Sequence, residues 1–331
     1  VSILSFPANA VRHAALALTL GASLGASIGV AHAETWPARP VVIVVPFPAG
    51  GGTDLVVRSI QPQLQHELGQ PVVIDNRSGA GGTLGSGYVA RATADGYTAG
   101  VVTTSTHAVS VALYPKLTYQ PAKDFSYAGF IGTSPYVLAV NNALQVPDTK
   151  ALIARLKADK SQHSFGSVGV GTVSHLMGEQ FQKLVGVPLV HVPYRGAAPA
   201  YTDLIGGQVQ IMFDNPVGLA PYIKAHKITA IATTAPTPLL ADVPTFASQG
   251  VPGFEQQLWY GIAFPKGTPA PIVERFNAAL NKVLSDKAVA DDLASKGVKA
   301  RPGTPAALQA AVQKDIPYWG AIAKSVGATG E

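Results

Sequence analysis

Apolar residues along this chain come in short runs separated by longer amphipathic stretches. Val41–Val45, Val72–Ile74, Ala99–Val102, Val137–Val140, Leu189–Val192, Val209–Phe213 and Ile228–Ala232 have the length and β-branched character of buried strands. Between them, Leu55–Leu68, Leu84–Arg91, Lys150–Ala158, Ser174–Leu184, Ala198–Ile205 and Ala220–Ala225 carry helical periodicity. Strand and helix in alternation predict an α/β protein with parallel strands and crossover helices. After residue 269 the pattern changes to the amphipathic helices Ala270–Leu284, Lys287–Lys296 and Pro305–Ser325. Val273, Phe276, Leu280 and Leu284 form one apolar stripe on the first of these. Pro62 falls inside the first helical pattern, which predicts a bend or a restart near Ser59–Pro62.

One longer apolar run lies at the start. Arg12 and His13 precede Ala14–Val30, which is uncharged, and Ala31-His32-Ala33 follows. This is the layout of a secretory signal with cleavage after Ala33. The sequence thus predicts an extracytoplasmic, periplasmic protein. The rest of the chain, 298 of 331 residues, suits two domains.

Composition narrows the chemistry. The chain has no cysteine, so thiol catalysis, thiolate metal sites, disulfides and a lipid-modified cysteine are all excluded. Net charge is +5 with the basic residues scattered, which gives no footprint for nucleic acid.

The candidate chemistry sits at strand ends. Val41–Val45 runs into Pro46-Phe-Pro-Ala-Gly-Gly-Gly-Thr-Asp54 and then a helix. Backbone N–H groups at such a helix start, with the positive end of its dipole, suit a small anion. Phe47 adds an apolar wall, and Ala49, Gly50, Gly51, Thr53 and Asp54 complete the turn, with Thr53 expected as the helix cap. No Lys-Ser/Thr follows the glycines, so this is no triphosphate loop, and the spacing G-x-G-x-x-G is absent. Asn76–Thr83 repeats the arrangement after the second strand, with Gly81 and Gly82 as backbone donors and Arg77 expected to pair with a structural acid. Thr103–Thr106 offers four hydroxyls at a third strand end, of which Thr104 and Ser105 are candidates for ligand contact. His107 beside them is a base or a capping or satisfied histidine.

Ser167–His175 is a further glycine-rich loop, with Ser167, Gly171 and Thr172 as candidates. His175 and Glu179 are spaced i, i+4, and we read them as surface or cap, since H-E-x-x-H is absent. Tyr194 and Arg195 end another strand, and Arg195 is either a carboxylate clamp or a surface residue. Asp214, directly beyond Ile211–Phe213, either caps the next helix or accepts from a ligand. Pro40–Phe47 and Pro188–Tyr194 echo each other, which is either a sign of two similar lobes or a chance recurrence. No nucleophile elbow or catalytic set stands out. A hydrolase or lyase would need Ser105 or Ser174 beside His107 or His175.

Several blocks together resemble the Bug family of periplasmic solute receptors, the TctC-like binding proteins of tripartite tricarboxylate transporters. They are WPARP at 36–40, PFPAGGGTD at 46–54, DNRSGAGG at 75–82, STHA at 105–108, LYPKL at 113–117, VPYRGAAPA at 192–200, DLIGGQV at 203–209, FDN at 213–215, DVPT at 242–245 and PGFE at 252–255. The resemblance implies a two-lobed type II periplasmic-binding-protein fold with a central cleft and two crossing hinge segments. Lobe 1 would comprise 34–135 and 257–331, and lobe 2 would comprise 136–256. It implies a monomer without cofactor that closes on one small carboxylate and serves a membrane permease. The turns 46–54 and 79–83 would hold the carboxylate, faced by Ser167, Gly171, Thr172, Arg195 and Asp214. Ser78, Pro62 and Tyr119-Gln120-Pro121 depart from the family pattern.

Overall fold

A computed structural model describes residues 1–3, 36–159 and 161–330. The proposed signal segment therefore lies almost wholly outside the described residues. The chain divides into Val1–Ala38 and Arg39–Glu331, and all that follows concerns the second unit.

Its strands are β1 (Val41–Val45), β2 (Val72–Asn76), β3 (Thr98–Thr103), β4 (Phe125–Pro135), β5 (Val137–Asn141), β6 (His163–Ser167), β7 (Leu189–Pro193), β8 (Ile211–Asp214), β9 (Ile228–Thr233), β10 (Gln257–Pro265) and β11 (Lys299–Ala300). They form two sheets. One has the order β11-β4-β10-β3-β1-β2 and the other β7-β6-β8-β5-β9. The longer helices are α1 (Gly52–Leu68), α2 (Thr83–Ala90), α3 (Thr149–Ala158), α4 (Val173–Val185), α5 (Ala197–Gly206), α6 (Pro216–Lys224), α7 (Ala270–Ser285), α8 (Lys287–Ser295) and α9 (Pro305–Val326).

The all-parallel expectation holds only in part. β1 pairs parallel with β2 and β3, and β6 pairs parallel with β7 and β8. β10 is antiparallel to both β3 and β4, and β5 is antiparallel to both β8 and β9. The reason is the route of the chain. It leaves the six-stranded sheet through β4 and re-enters through β10, so these neighbours run in opposite directions.

β1 is buried along nearly its whole length, with Val41, Ile43, Val44 and Val45 all at 0 % exposure, as expected of a strand covered on both faces. The helix α1 buries Val56, Val57, Ile60, Leu64 and Leu68 at helical spacing. It continues through Pro62 rather than restarting there, a restart being one of the two expectations. Pro62 and Arg58, whose carbonyl loses its donor, are both exposed, so water can replace the missing bond. A second core gathers Leu204, Val209, Met212 and Leu219 around β8. The C-terminal ends of β1, β6, β7 and β8 face a common cleft, where open α/β sheets place their ligands.

Candidate functional site

The cleft has two adjoining hollows. The outer one is lined by Pro46, Phe47, Pro48, Ser78–Gly82 and Tyr114 on one wall. Val168, Gly169, Val170 and Pro193–Gly196 form its other wall. The inner one shares Phe47, Pro48, Val168 and Gly196 and reaches Gly51–Thr53, Thr103, Ser105, Tyr136, Asp214, Asn215 and Leu258. Hydrogen bonds cross between the walls. Tyr114 Oη donates to the Val170 carbonyl at 2.8 Å, and the Val173 N–H donates to Ser105 Oγ at 3.1 Å.

Three helix starts at the cleft lack a side-chain cap. α1, α2 and α5 begin on Gly51, Gly82 and Gly196, and none of these starts has a side-chain cap. All three glycines line the cleft. α3, α4, α6, α8 and α9 are capped by Asp148, Thr172, Asn215, Asp286 and Thr304, of which Asn215 lines the cleft, while α7, away from the cleft, starts on Pro269 without a side-chain cap. A side-chain cap satisfies first-turn N–H groups from within the protein. Where it is missing, those groups and the positive dipole ends are left for an anion. This applies most fully at α1; at α2 the Gly82 and Thr83 N–H groups already donate to the Gly79 and Ala80 carbonyls, and at α5 the third residue is Pro199, which has no N–H.

The predicted site residues divide into two sets. Phe47, Gly51, Thr53, Gly81, Gly82, Ser105, Tyr194, Arg195 and Asp214 line the cleft. Ala49 and Gly50 are exposed at the tip of the first turn and are not among its lining. Thr104 is buried, its Oγ1 accepting from the Trp259 N–H. Thr172 caps α4, and Ser167 bonds His191 behind the loop. Gly171 packs against the Tyr114 ring, leaving no room for a β-carbon. Thr53 is not the cap of α1, since Gly51 takes that position and Thr53 lies within the first turn.

Asp54 also turns inward, at 1 % exposure. Its Oδ2 accepts from the Gly50 N–H and Arg58 Nε, and its Oδ1 accepts from Asn76 Nδ2. Burial alone would raise this carboxyl, but the hydrogen bonds from Arg58, Gly50 and Asn76 outweigh it and hold it below the usual range. Arg77 pairs with Asp75 at 2.7 Å and lies over the Tyr88 ring, a structural role.

Asp214 is the acid of the inner hollow. Tyr201 Oη donates to its Oδ2 at 2.6 Å, and the backbone and side chain of Asn215 donate to its Oδ1 at 2.8 and 2.9 Å. No cation accompanies it among the described residues. Burial pushes this carboxyl up to about 6, and the Tyr201 and Asn215 hydrogen bonds pull it back only in part. It does not cap α6; Asn215 does, accepting from the Gly218 N–H. Nearby, Tyr260 Oη is buried with no partner, and its ionisation is pushed far upward by burial.

The histidines fall elsewhere. His107 is fully buried, with Nδ1 on Thr106 Oγ1 at 2.9 Å and Nε2 without a partner. It packs against Phe125, Tyr119 and Tyr127, and burial pushes its pKa down to about 3. His175 is buried rather than at the surface, at 5 % exposure, which corrects the expectation for the His175–Glu179 pair. Ser105 and Ser174 do not meet His107 or His175. Ser105 Oγ accepts from Val173, and Ser174 Oγ donates to the Phe213 carbonyl.

His175, Glu179 and His191 bring one ligand atom each to within 4.8 Å of one another. The His175 and His191 rings, however, stack at 4.1 Å with 9° between their planes. Imidazole lone pairs lie in the ring plane, so nearly parallel rings do not converge on one ion.

Sequence reasoning missed Tyr136, Asn215, Leu258, Tyr114 and Val168. The Asn215-Pro216 pair carried a usable signal, an N-cap followed by proline at the first helical position. Tyr136 and Leu258 reach the cleft through the two chain crossings, which have no local signature.

Comparison with known proteins gives a consistent result. Residues 56–328 match the family model described as "TctC: Tripartite tricarboxylate transporter family receptor". The Bordetella pertussis protein BugT is 35 % identical over 309 residues, covering 92 % of this chain and 95 % of that one. A Rhodopseudomonas palustris protein solved with adipate is 36 % identical, with a TM-score of 0.85 over 89 % of this chain and 99 % of that one. MatC from the same organism, with bound malate, is 36 % identical, with a TM-score of 0.82 over 87 % and 99 %.

Proposed function

The chain belongs to the TctC family of tripartite tricarboxylate transporter receptors, the Bug-type periplasmic solute-binding proteins, and on that premise we propose that it captures a small dicarboxylate in the cleft. The observation that carries this reading is the convergence of three glycine-capped helix starts on one cleft whose wall bears a single exposed arginine, Arg195. One carboxylate takes the backbone donors of the turns at 46–54 and 79–83. The second lies toward Arg195, whose planar fork matches it. Asp214, ionised above about pH 6, keeps a carboxylate away from the inner hollow and favours a hydroxyl or a neutral donor there. Two structural relatives hold adipate and malate, which supports a ligand of that class. The receptor then delivers its ligand to the membrane permease of a tripartite transporter, outside the cytoplasm. Lobes 34–135 with 257–331 and 136–256 close on it as jaws.

A single substitution tests both ligand and closure. At Gly81, φ is +62° and an added β-carbon would lie 2.4 Å from the Val170 carbonyl oxygen on the opposite wall. Gly81→Ala should cost about 1–2 kcal/mol of stability through its backbone conformation. It should also weaken adipate or malate binding at least about tenfold, read by calorimetry. Wild-type protein whose melting point rises with a neutral solute, and with no carboxylate, would refute the proposal.

A further inference from the structure

We propose that His175 and His191 are positioning residues for the cleft, a paired imidazole brace that sets the loop Val168–Gly171 from behind. The loop lines the cleft at Val168, Gly169 and Val170. From the opposite wall the Tyr114 hydroxyl donates to the Val170 carbonyl. Behind it, the Gly171 N–H donates to His175 Nδ1 at 3.4 Å. The Gly169 N–H donates to Ser167 Oγ at 3.3 Å, and Ser167 Oγ in turn bonds His191 Nε2 at 2.7 Å. Each ring therefore governs one amide of the loop, His175 directly and His191 through a hydroxyl.

The rings are fixed in place. They stack on each other at 4.1 Å, and Phe165 stacks on His191 at 4.8 Å with 14° between planes. Since His175 Nδ1 accepts, its proton sits on Nε2, which faces Glu179 Oε1 at 3.6 Å. Glu179 Oε2 accepts from Gln182. Burial, with the charge of His175 as a lesser cause, pushes His191 down to about 3, so its ring stays neutral near neutral pH. The inference explains why Ser167 and Gly171 stand near the cleft without lining it: they transmit position. It rests on the reading of the cleft as a carboxylate site, but its first readout does not.

The test uses side chains that mimic one imidazole nitrogen or the other. Asparagine places a polar atom near Nδ1, and glutamine places one near Nε2. His175→Asn and His191→Gln keep the atom each brace uses, whereas His175→Gln and His191→Asn misplace it. In ligand-free protein the Gly169 and Gly171 amide resonances should stay close to wild type in the first two and shift in the second two. Adipate affinity should fall within about threefold of wild type in the first two and drop at least about tenfold in the second two. Unmoved amides, or amides that move alike in Asn and Gln variants, would overturn the brace. If wild type binds neither adipate nor malate, the amide pattern alone decides, and the fault lies with the ligand assignment. A one-to-one Zn²⁺ titration of wild type that vanishes in all four variants would assign the cluster to a metal and overturn the brace as well.

Discussion

Each wall of the cleft carries one buried aspartate, and the two behave in opposite ways. Asp54 in the first turn of α1 and Asp214 at the end of β8 are both essentially inaccessible, at 1 % and 2 % exposure. Each accepts three hydrogen bonds from protein. Yet Asp54 is held below the usual carboxylate range, and Asp214 is raised to about 6. Arg58 makes the difference. It lies 2.8 Å from Asp54, whereas the donors to Asp214 are a tyrosine and an asparagine, both neutral. Burial penalises a charge on either wall, and hydrogen bonds without a counter-charge return only part of that penalty. Asp54 thus staples the Gly50 turn to β2 through Asn76, its charge favoured by Arg58. Asp214 is an acid whose charge can change within the cleft.

The strongest way to break this contrast is Asp54→Ala. It frees the Gly50 N–H, Arg58 and Asn76 together and should cost about 3–4 kcal/mol, measured by urea denaturation. A loss below about 1 kcal/mol would show that the turn stands without its staple.

Next in size is a pH effect at Asp214. Its folded pKa lies above the unfolded value of 3.8, so the folded state binds the proton more tightly. Its stabilising contribution is present in full below about pH 4 and is lost as pH rises to about 6. Asp214→Asn removes that dependence. The stability of the variant relative to wild type should therefore improve by about 2–3 kcal/mol between pH 4 and 7. A pH-independent difference would mean that Asp214 titrates as an ordinary carboxylate.

The smallest effect belongs to Arg58→Ala. The arginine side chain is 45 % exposed, so solvent screens the pair and its removal should cost about 1 kcal/mol or less. Its value lies in the direction of the acid limb. Asp54 has a depressed folded pKa, so its contribution is present above the unfolded value and lost as pH falls through the folded one. Without Arg58 that loss should begin at a higher pH, and Asp54 should come to resemble Asp214. An unchanged acid limb would assign the depression to Gly50 and Asn76 instead.

Much of the fold was legible along the chain. β1, β5 and α7 start where their patterns predict, because a run of β-branched residues or an amphipathic stripe is a local property. The strands β4 and β10 were not legible. Phe125–Pro135 is interrupted by Gly129 and Gly132 and shows neither alternation nor an unbroken apolar run. It is a strand because β10, far along the chain, pairs with it for its whole length. β6, with His163, Ser164 and Ser167 in five residues, is a strand for the same reason, held between β7 and β8. The site divides likewise. The glycine turns are visible as anion cradles, whereas Ser167 and Thr172 point away from the cleft although their loop borders it, because a sequence shows adjacency and not the direction of a side chain.

The sequence by itself determined the glycine-ended strands, the helix starts that follow them and even the cation of Asp54, which sits one helical turn away at Arg58. These follow from interactions within a few residues. Only the tertiary structure decided that Asp214 has no such partner, that His191 on β7 lies against His175 on α4, and that Tyr136 and Leu258 help line the inner hollow. Burial and electrostatic energies depend on what surrounds a group in space. At these positions the surroundings are brought together by strand pairing and chain crossing.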